Sequence, residues 1–250
     1  MRTSMVPGML KMLAYNLNRG SDNLRLFEAG NVFEATGEKT AEFKRICMGA
    51  TGSALNASVH QSARPLSSFD IKGDVETLLA AFQHGGIEYK GEAAEYYHPG
   101  RSACAVIDGE VVAQFGQIHP EIAAGRKFKQ DVFVAELYLD RLFKRGLRVV
   151  RYVALPRYPA VERDFSFIFD DAVAFAKIAR AVAGLGLTEL RSFVPVEIFR
   201  GGAIPAGKYS LLLRATFQSG ERTLLEGEVA RWSAEIVKAL ESLGGTLRTS

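Results

Sequence analysis

The sequence predicts an α+β protein in two parts, both built on antiparallel strands. Asp108-Gly109 stands between two apolar runs, 103–107 and 111–115, and this is a hairpin signature because glycine tolerates the positive φ of a tight turn. From Phe165 onward, strand-like and helix-like spacings follow one another in the order β-α-β-β-α-β, the split βαβ or ferredoxin-like arrangement. Between the two parts Arg141, Lys144, Arg145, Arg148 and Arg151 lead into Pro156, Arg157, Tyr158 and Pro159. That basic, proline-bearing connection sets the domains at 1–150 and 157–250.

The chain opens with a predicted amphipathic helix, because Val6, Met9, Leu10, Leu13, Ala14 and Leu17 recur at helical spacing between a Ser4 cap and Gly20. Short apolar runs at 24–27 and 32–33, separated by Gly30-Asn31, and a longer one at 43–50 read as antiparallel strands. Residues 51–67 carry no periodic signal and read as a surface loop. A helix is expected over 69–82, with Ile71, Val75, Leu78, Leu79 and Phe82 as its apolar stripe, and the run 131–139 as a central strand.

In the second part the expected elements are a strand at 165–169, a helix at 174–183, strands at 190–199 and 209–217, a helix at 226–243 and a last strand at 246–248. Such a sheet carries helices on one face only. Side chains alternate across a strand, so with Phe165, Phe167 and Phe169 toward the helices, Ser166 and Ile168 point away. The same parity sends Val194, Val196 and Ile198 inward and Glu197 and Phe199 outward, with Ser210, Leu212 and Arg214 outward on the next strand. An outer face with an aromatic, a carboxylate, hydroxyls and an arginine is either a single-stranded RNA platform or a surface covered by a neighbouring domain.

Composition narrows the function classes. The 250 residues are 48% hydrophobic and 24% charged, which excludes disorder, collagen and coiled coil. A net charge of +3 is too small to announce a polyanion binder, so any nucleic-acid site must be local. Cys47 and Cys104 lack a Cys-x-x-Cys pattern and read as reduced thiols of a cytoplasmic protein, and no run of 18 apolar residues suggests a membrane span.

Several motifs dissolve on inspection. Gly202 to Lys208 matches seven positions of a phosphate-binding loop, but Tyr209 replaces the Ser/Thr that holds Mg²⁺, and a strand follows where a helix is needed. Gly184-Leu-Gly186 ends a helix and reads as its C-cap. His98-Pro99 and His119-Pro120 flank the hairpin, as a metal or acid/base pair or, without a third ligand at recognisable spacing, as turn residues. No metal site and no catalytic constellation is expected.

Seven stretches, in order along the chain, resemble the C-terminal part of the bacterial phenylalanyl-tRNA synthetase β subunit. They are 2–10, Tyr15-Asn-Leu-Asn-Arg19, 26–33, His98-Pro-Gly-Arg-Ser102, 116–121, 158–164, and Phe199-Arg-Gly-Gly with Gly207-Lys-Tyr-Ser210 and Arg222-Thr-Leu224. The resemblance implies a partial class II synthetase-like antiparallel sheet domain without an active site, serving assembly with the α subunit in an α2β2 tetramer. It also implies a ferredoxin-fold domain that binds the anticodon of the phenylalanine tRNA.

On this resemblance Ser166, Glu197, Phe199 and Ser210 match anticodon-contact positions, with Phe199 stacking and Glu197 accepting from the guanine edge. Arg163, Arg200, Lys208 and Arg214 are candidate phosphate contacts, Arg163-Asp164 being equally a structural ion pair. The family often has Asp and Tyr where this chain has Glu197 and Phe199, and a Ser/Thr cap where it has Leu225. ATP, Mg²⁺ and phenylalanine activation belong, on the same grounds, to the holoenzyme and its α subunit, so the fragment itself is noncatalytic and carries no cofactor. The resemblance further implies a fragment that starts within the catalytic-like domain, lacks an editing centre and exposes its opening helix to self-association. The competing class is a ferredoxin-like small-molecule regulatory module fused to an interaction domain.

Overall fold

The computed structural model describes residues 2–37, 39–152 and 154–248, which divide into two compact units, Met1–Val150 and Arg151–Ser250. Unit 1 carries α1 (Val6–Leu17), β1 (Leu24–Thr36), β2 (Lys39–Thr51), β3 (Ser53–Leu55), β4 (Arg64–Pro65), α2 (Ser68–Leu79), β5 (Glu88–Lys90), β6 (Tyr97–Ile107), β7 (Glu110–Ile118), α3 (Pro120–Gly125), β8 (Val132–Tyr138) and α4 (Leu139–Leu142). Six strands form one antiparallel sheet in the order β1-β2-β8-β7-β6-β5, so β8 is central, as its apolar run predicts. The segment expected to be a plain loop holds the small β3-β4 hairpin.

Both faces of this sheet are covered. On β8, Phe133, Ala135 and Leu137 join the cluster under α2 with Ile71, Val75 and Leu79, whereas Val132 and Val134 join the one under α1 with Met9 and Leu13. Helix α1 comes close enough to β2 that a methyl on Gly49 would stand 2.6 Å from Met9 Cγ. Its first turn is held by the buried Glu136 carboxylate, which accepts from Met5 N–H at 2.7 Å and Ser4 Oγ at 3.1 Å; negative charge at a helix N-terminus is favourable. Burial, and then the carboxylates of Glu136 and Glu28, push the Cys47 thiol far above its usual range, which disfavours the thiolate.

The expected break at Gly30-Asn31 is absent: β1 runs unbroken for 13 residues beside β2. The glycine instead makes room for a crossing chain, because Arg2 lies over it and donates from Nε to Asn31 O at 2.9 Å, while Phe33 N–H bonds Arg2 O at 2.8 Å. Asp108 and Gly109, with φ +51° and +78°, form the expected tight turn between β6 and β7. His98 Nδ1 accepts from Gly100 N–H at 3.0 Å and His119 Nδ1 from Glu121 N–H at 3.3 Å, so both histidines organise turns.

Unit 2 contains β9 (Val161–Asp170), α5 (Phe175–Ala183), β10 (Leu190–Phe199), β11 (Lys208–Phe217), α6 (Glu226–Glu241) and β12 (Thr246–Leu247). The strand order β10-β11-β9-β12, with every pairing antiparallel, is that of the ferredoxin-like fold. Phe165, Phe167 and Phe169 on β9 and Leu211, Leu213, Ala215 and Phe217 on β11 meet Ile178 and Val182 of α5 and Val229, Trp232, Ile236 and Leu240 of α6. Leu225, at the N-cap of α6, offers no acceptor; Glu228 reaches back to Leu225 N–H at 3.0 Å and also binds Arg222 at 2.6 Å.

Candidate nucleic-acid interface

The face of the unit 2 sheet away from α5 and α6 is defined by register, because residues directly opposite in an antiparallel pair share a face. One row across the sheet is Phe199 (β10), Ser210 (β11), Ile168 (β9) and Thr246 (β12). The next is Glu197, Leu212 and Ser166. The rows lie two residues apart along each strand, about 7 Å at the usual rise. All four residues expected on this face, Ser166, Glu197, Phe199 and Ser210, therefore stand in two adjoining rows.

Their environments differ. Phe199 is 52% exposed, and its ring leans toward Gly202, which holds φ +57° in the turn after β10. The Glu197 carboxylate has no hydrogen bond or ion pair among the described residues, so all its acceptor positions are open. Ser210 is buried, and its hydroxyl lies 3.4 Å from Arg248 Nη1. Arg248, absent from the sequence-based candidates, is tied just past β12 by its N–H to Ser166 O at 2.8 Å. A residue beyond the last strand gives no periodic signal, and only the β12-β9 pairing brings it to this face.

The alternation inferred for β10 fails in its first half. A bulge between Pro195 and Glu197 leaves Val196 as the extra residue, so Val194 stands opposite Arg214 on the outer face rather than inward. Ile198 is opposite Leu211 on the helix side, yet is 58% exposed because β10 is the edge strand.

The basic candidates are largely neutralised. Arg163 lies opposite Ala215 on the helix side and binds Glu226 at 2.6 and 2.8 Å, so it is not an outer-face residue and forms no pair with Asp164. Arg214 is on the outer face, bidentate with Asp164 at 2.7 and 2.8 Å and 3.4 Å from Glu162. The Arg214 guanidinium in turn holds the Asp164 carboxyl below the usual carboxylate range. Arg200 binds Asp171 and sits over the Tyr209 ring, and Lys208 lies 3.5 Å from Asp170. The glycine-rich segment is a turn with positive φ at Gly201, Gly202 and Gly207 that leads directly into β11.

The arrangement offers a half-exposed aromatic ring beside an unengaged carboxylate, a hydroxyl and an arginine on an open sheet. It can stack a base and accept from donors on the base edge. No group of three or more His, Cys, Asp or Glu among the described residues is arranged to hold a metal ion.

Residues 1–139 match the family model for the phenylalanyl tRNA synthetase beta chain CLM domain, and residues 156–248 match that for the ferredoxin-fold anticodon binding domain. The chain is 33% identical to the phenylalanine-tRNA ligase beta subunit of Geobacter sulfurreducens, over 99% of its own length and 32% of that protein. With the corresponding subunit of Bacillus subtilis it shares 30% identity over 96% of this chain and 30% of the relative. It thus spans about a third of the length of these curated relatives. Among solved structures it is similar to a pyrrolysyl tRNA synthetase from Desulfitobacterium hafniense, with a TM-score of 0.43 and 12% identity over 57% of this chain and 49% of that one.

Proposed function

The chain belongs to the phenylalanyl-tRNA synthetase beta chain family, and from that premise we propose that unit 2 reads the anticodon of a phenylalanine tRNA while unit 1 serves assembly with the α subunit. One observation carries the RNA half: the exposed Phe199 ring, the unengaged Glu197 carboxylate and the Ser210 hydroxyl lie in adjoining rows of an open sheet face. Phe199 stacks the first anticodon base. Glu197 accepts from N1 and N2 of guanine, two donors that only a guanine presents together. Ser210 and Arg248 border the same patch, and Arg248 supplies its phosphate contact. Arg214 and Arg200, already paired with carboxylates, contribute less to phosphate binding.

For unit 1 the support is apolar surface. Phe27, on edge strand β1, is 78% exposed, and Phe69, in the first turn of α2, is 80% exposed. Large apolar side chains left in water are what a permanent subunit interface covers. Phenylalanine activation, with its ATP and Mg²⁺, falls to the α subunit of the tetramer. A cytoplasmic location follows from the same reading; no helix among the described residues is long and apolar enough to cross a membrane. The regulatory-module alternative is not favoured, because residues 156–248 match an anticodon-binding domain.

The experiment is co-purification with a phenylalanyl-tRNA synthetase α subunit, followed by a salt-dependent titration of a phenylalanine tRNA anticodon stem-loop. Binding that weakens when the first anticodon base is changed from guanine supports the reading. A folded chain that captures neither α subunit nor stem-loop overturns it.

A further inference from the structure

The geometry points to a second RNA-binding surface, on unit 1, that takes the phosphodiester backbone of a duplex rather than exposed bases. It deepens the function proposed above and rests on that reading for the identity of the polymer. The surface centres on residues 126–130, between α3 and β8. Helix α3 ends in a closed turn, with Lys127 N–H bonded to Ala124 O at 2.9 Å and Phe128 N–H to Ala123 O at 3.0 Å. Phe128 packs inward against the cluster beneath α1, while Arg126, Lys127 and Lys129 remain exposed.

Two open cavities flank this segment and share Phe128, Lys129 and Gln130 in their walls. One, of about 290 Å³, also has Arg126 and Lys127, facing Asn18 and Asp22 near the end of α1. The other, of about 400 Å³, also has His98, Arg101 and Asp131. Arg126, Lys127 and Lys129 form no ion pair among the described residues. Of the two acidic side chains, Asp131 is engaged by Gln117 Nε2 at 2.8 Å and lies 4.0 Å from Arg101. The Asp22 carboxylate, in the wall with Arg126 and Lys127, has no ion pair among the described residues and leaves the strip with net positive charge. His98 accepts a backbone hydrogen bond at Nδ1, which leaves Nε2 as its donor.

Lys127 supplies an independent observation. It holds φ +58° at the C′ position of α3, a left-handed site that glycine occupies at lower cost. A long cation at a strained position is a disadvantage in folding, and its charge is what the position gains. The phenyl ring in the cavity walls, that of Phe128, is turned into the core and is not presented to stack a base. Cations along an open strip without a stacking partner suit backbone contact, which positions a polyanion without reading sequence.

The test uses the whole chain and two probes, a short blunt RNA duplex and a single-stranded oligonucleotide carrying the phenylalanine anticodon. The combined variant Arg126→Gln, Lys127→Gln, Lys129→Gln is expected to weaken duplex binding about tenfold and to lower the slope of log affinity against log salt by about 2 to 3, at roughly one unit for each phosphate no longer neutralised. Oligonucleotide binding is expected to stay unchanged. Unaltered duplex affinity and slope overturn the proposal, as does equal weakening with both probes. Lys127→Gly separates charge from fold: it is expected to raise Tm while lowering the duplex slope by about 1, and a raised Tm with an unmoved slope overturns the proposal. If the unmodified chain binds the duplex but not the oligonucleotide, the anticodon reading fails and this one stands.

Discussion

Phe199 and Ser210 face one another across β10 and β11, which puts an aromatic ring beside a buried hydroxyl at the edge of an otherwise open sheet. Phe199→Ala is expected to weaken anticodon stem-loop binding by about 1 to 3 kcal/mol, the usual worth of base stacking on an aromatic. The ring is half exposed, so the melting temperature should move little. Paired titration and thermal unfolding check this, and unchanged RNA affinity would remove the stacking role.

Glu197→Gln tests specificity rather than affinity for RNA in general. The amide keeps one acceptor and gains donors, so it cannot receive both guanine donors. Binding of the guanine-first stem-loop should fall by about 1 to 3 kcal/mol, the cost of leaving polar groups badly paired, while an adenine-first stem-loop is barely affected. Comparing the two stem-loops at one salt concentration reads the difference directly.

Acid should loosen unit 2 through Glu228. Arg222 first, then the Leu225 amide, hold its carboxyl down at about 2 against an ordinary 4.5. A depressed carboxylate contributes stability that is fully present above 4.5 and is lost as pH falls toward 2. Glu228→Gln should therefore lower Tm at pH 7 and flatten the decline of Tm between pH 4.5 and 2, read by melting across that window.

Gly245 links the core of unit 2 to its open face. A methyl there would lie 2.6 Å from Phe169 Cε1 and 2.8 Å from the Leu240 carbonyl oxygen. Gly245→Ala is expected to cost about 1 to 3 kcal/mol by forcing the chain away from α6 and β9. Because β12 and Arg248 follow immediately, stem-loop binding should weaken with it, while Ser242→Ala, at the exposed C-cap of α6, should leave binding unchanged.

Most of unit 2 was legible because its strands alternate cleanly: the three phenylalanines of β9 declare its inner side, and Ser166 follows by parity. Parity is a local rule, and one extra residue reverses it. Pro195 marks this stretch as an edge or a bulge, but it does not say which residue becomes the extra one, and that choice is what turns Val194 outward. Partnership was less legible still, because Arg163 meets Glu226 across 63 positions and Arg248 reaches Ser210 across 38. In unit 1 Gly30 looked like a break because a small residue in a strand carries no record of the Arg2 side chain that crosses it.

The irregularity in β10 has a consequence for how copies of the chain behave toward each other. An edge strand with a row of free amides and carbonyls invites a foreign strand to add to the sheet, and Val194, Val196 and Ile198 would make such an addition sticky. Pro195 has no N–H to offer, and the bulge beside it throws the remaining groups out of register with any straight intruder. The edge can thus keep apolar side chains in the open without seeding fibrils or stacked sheets.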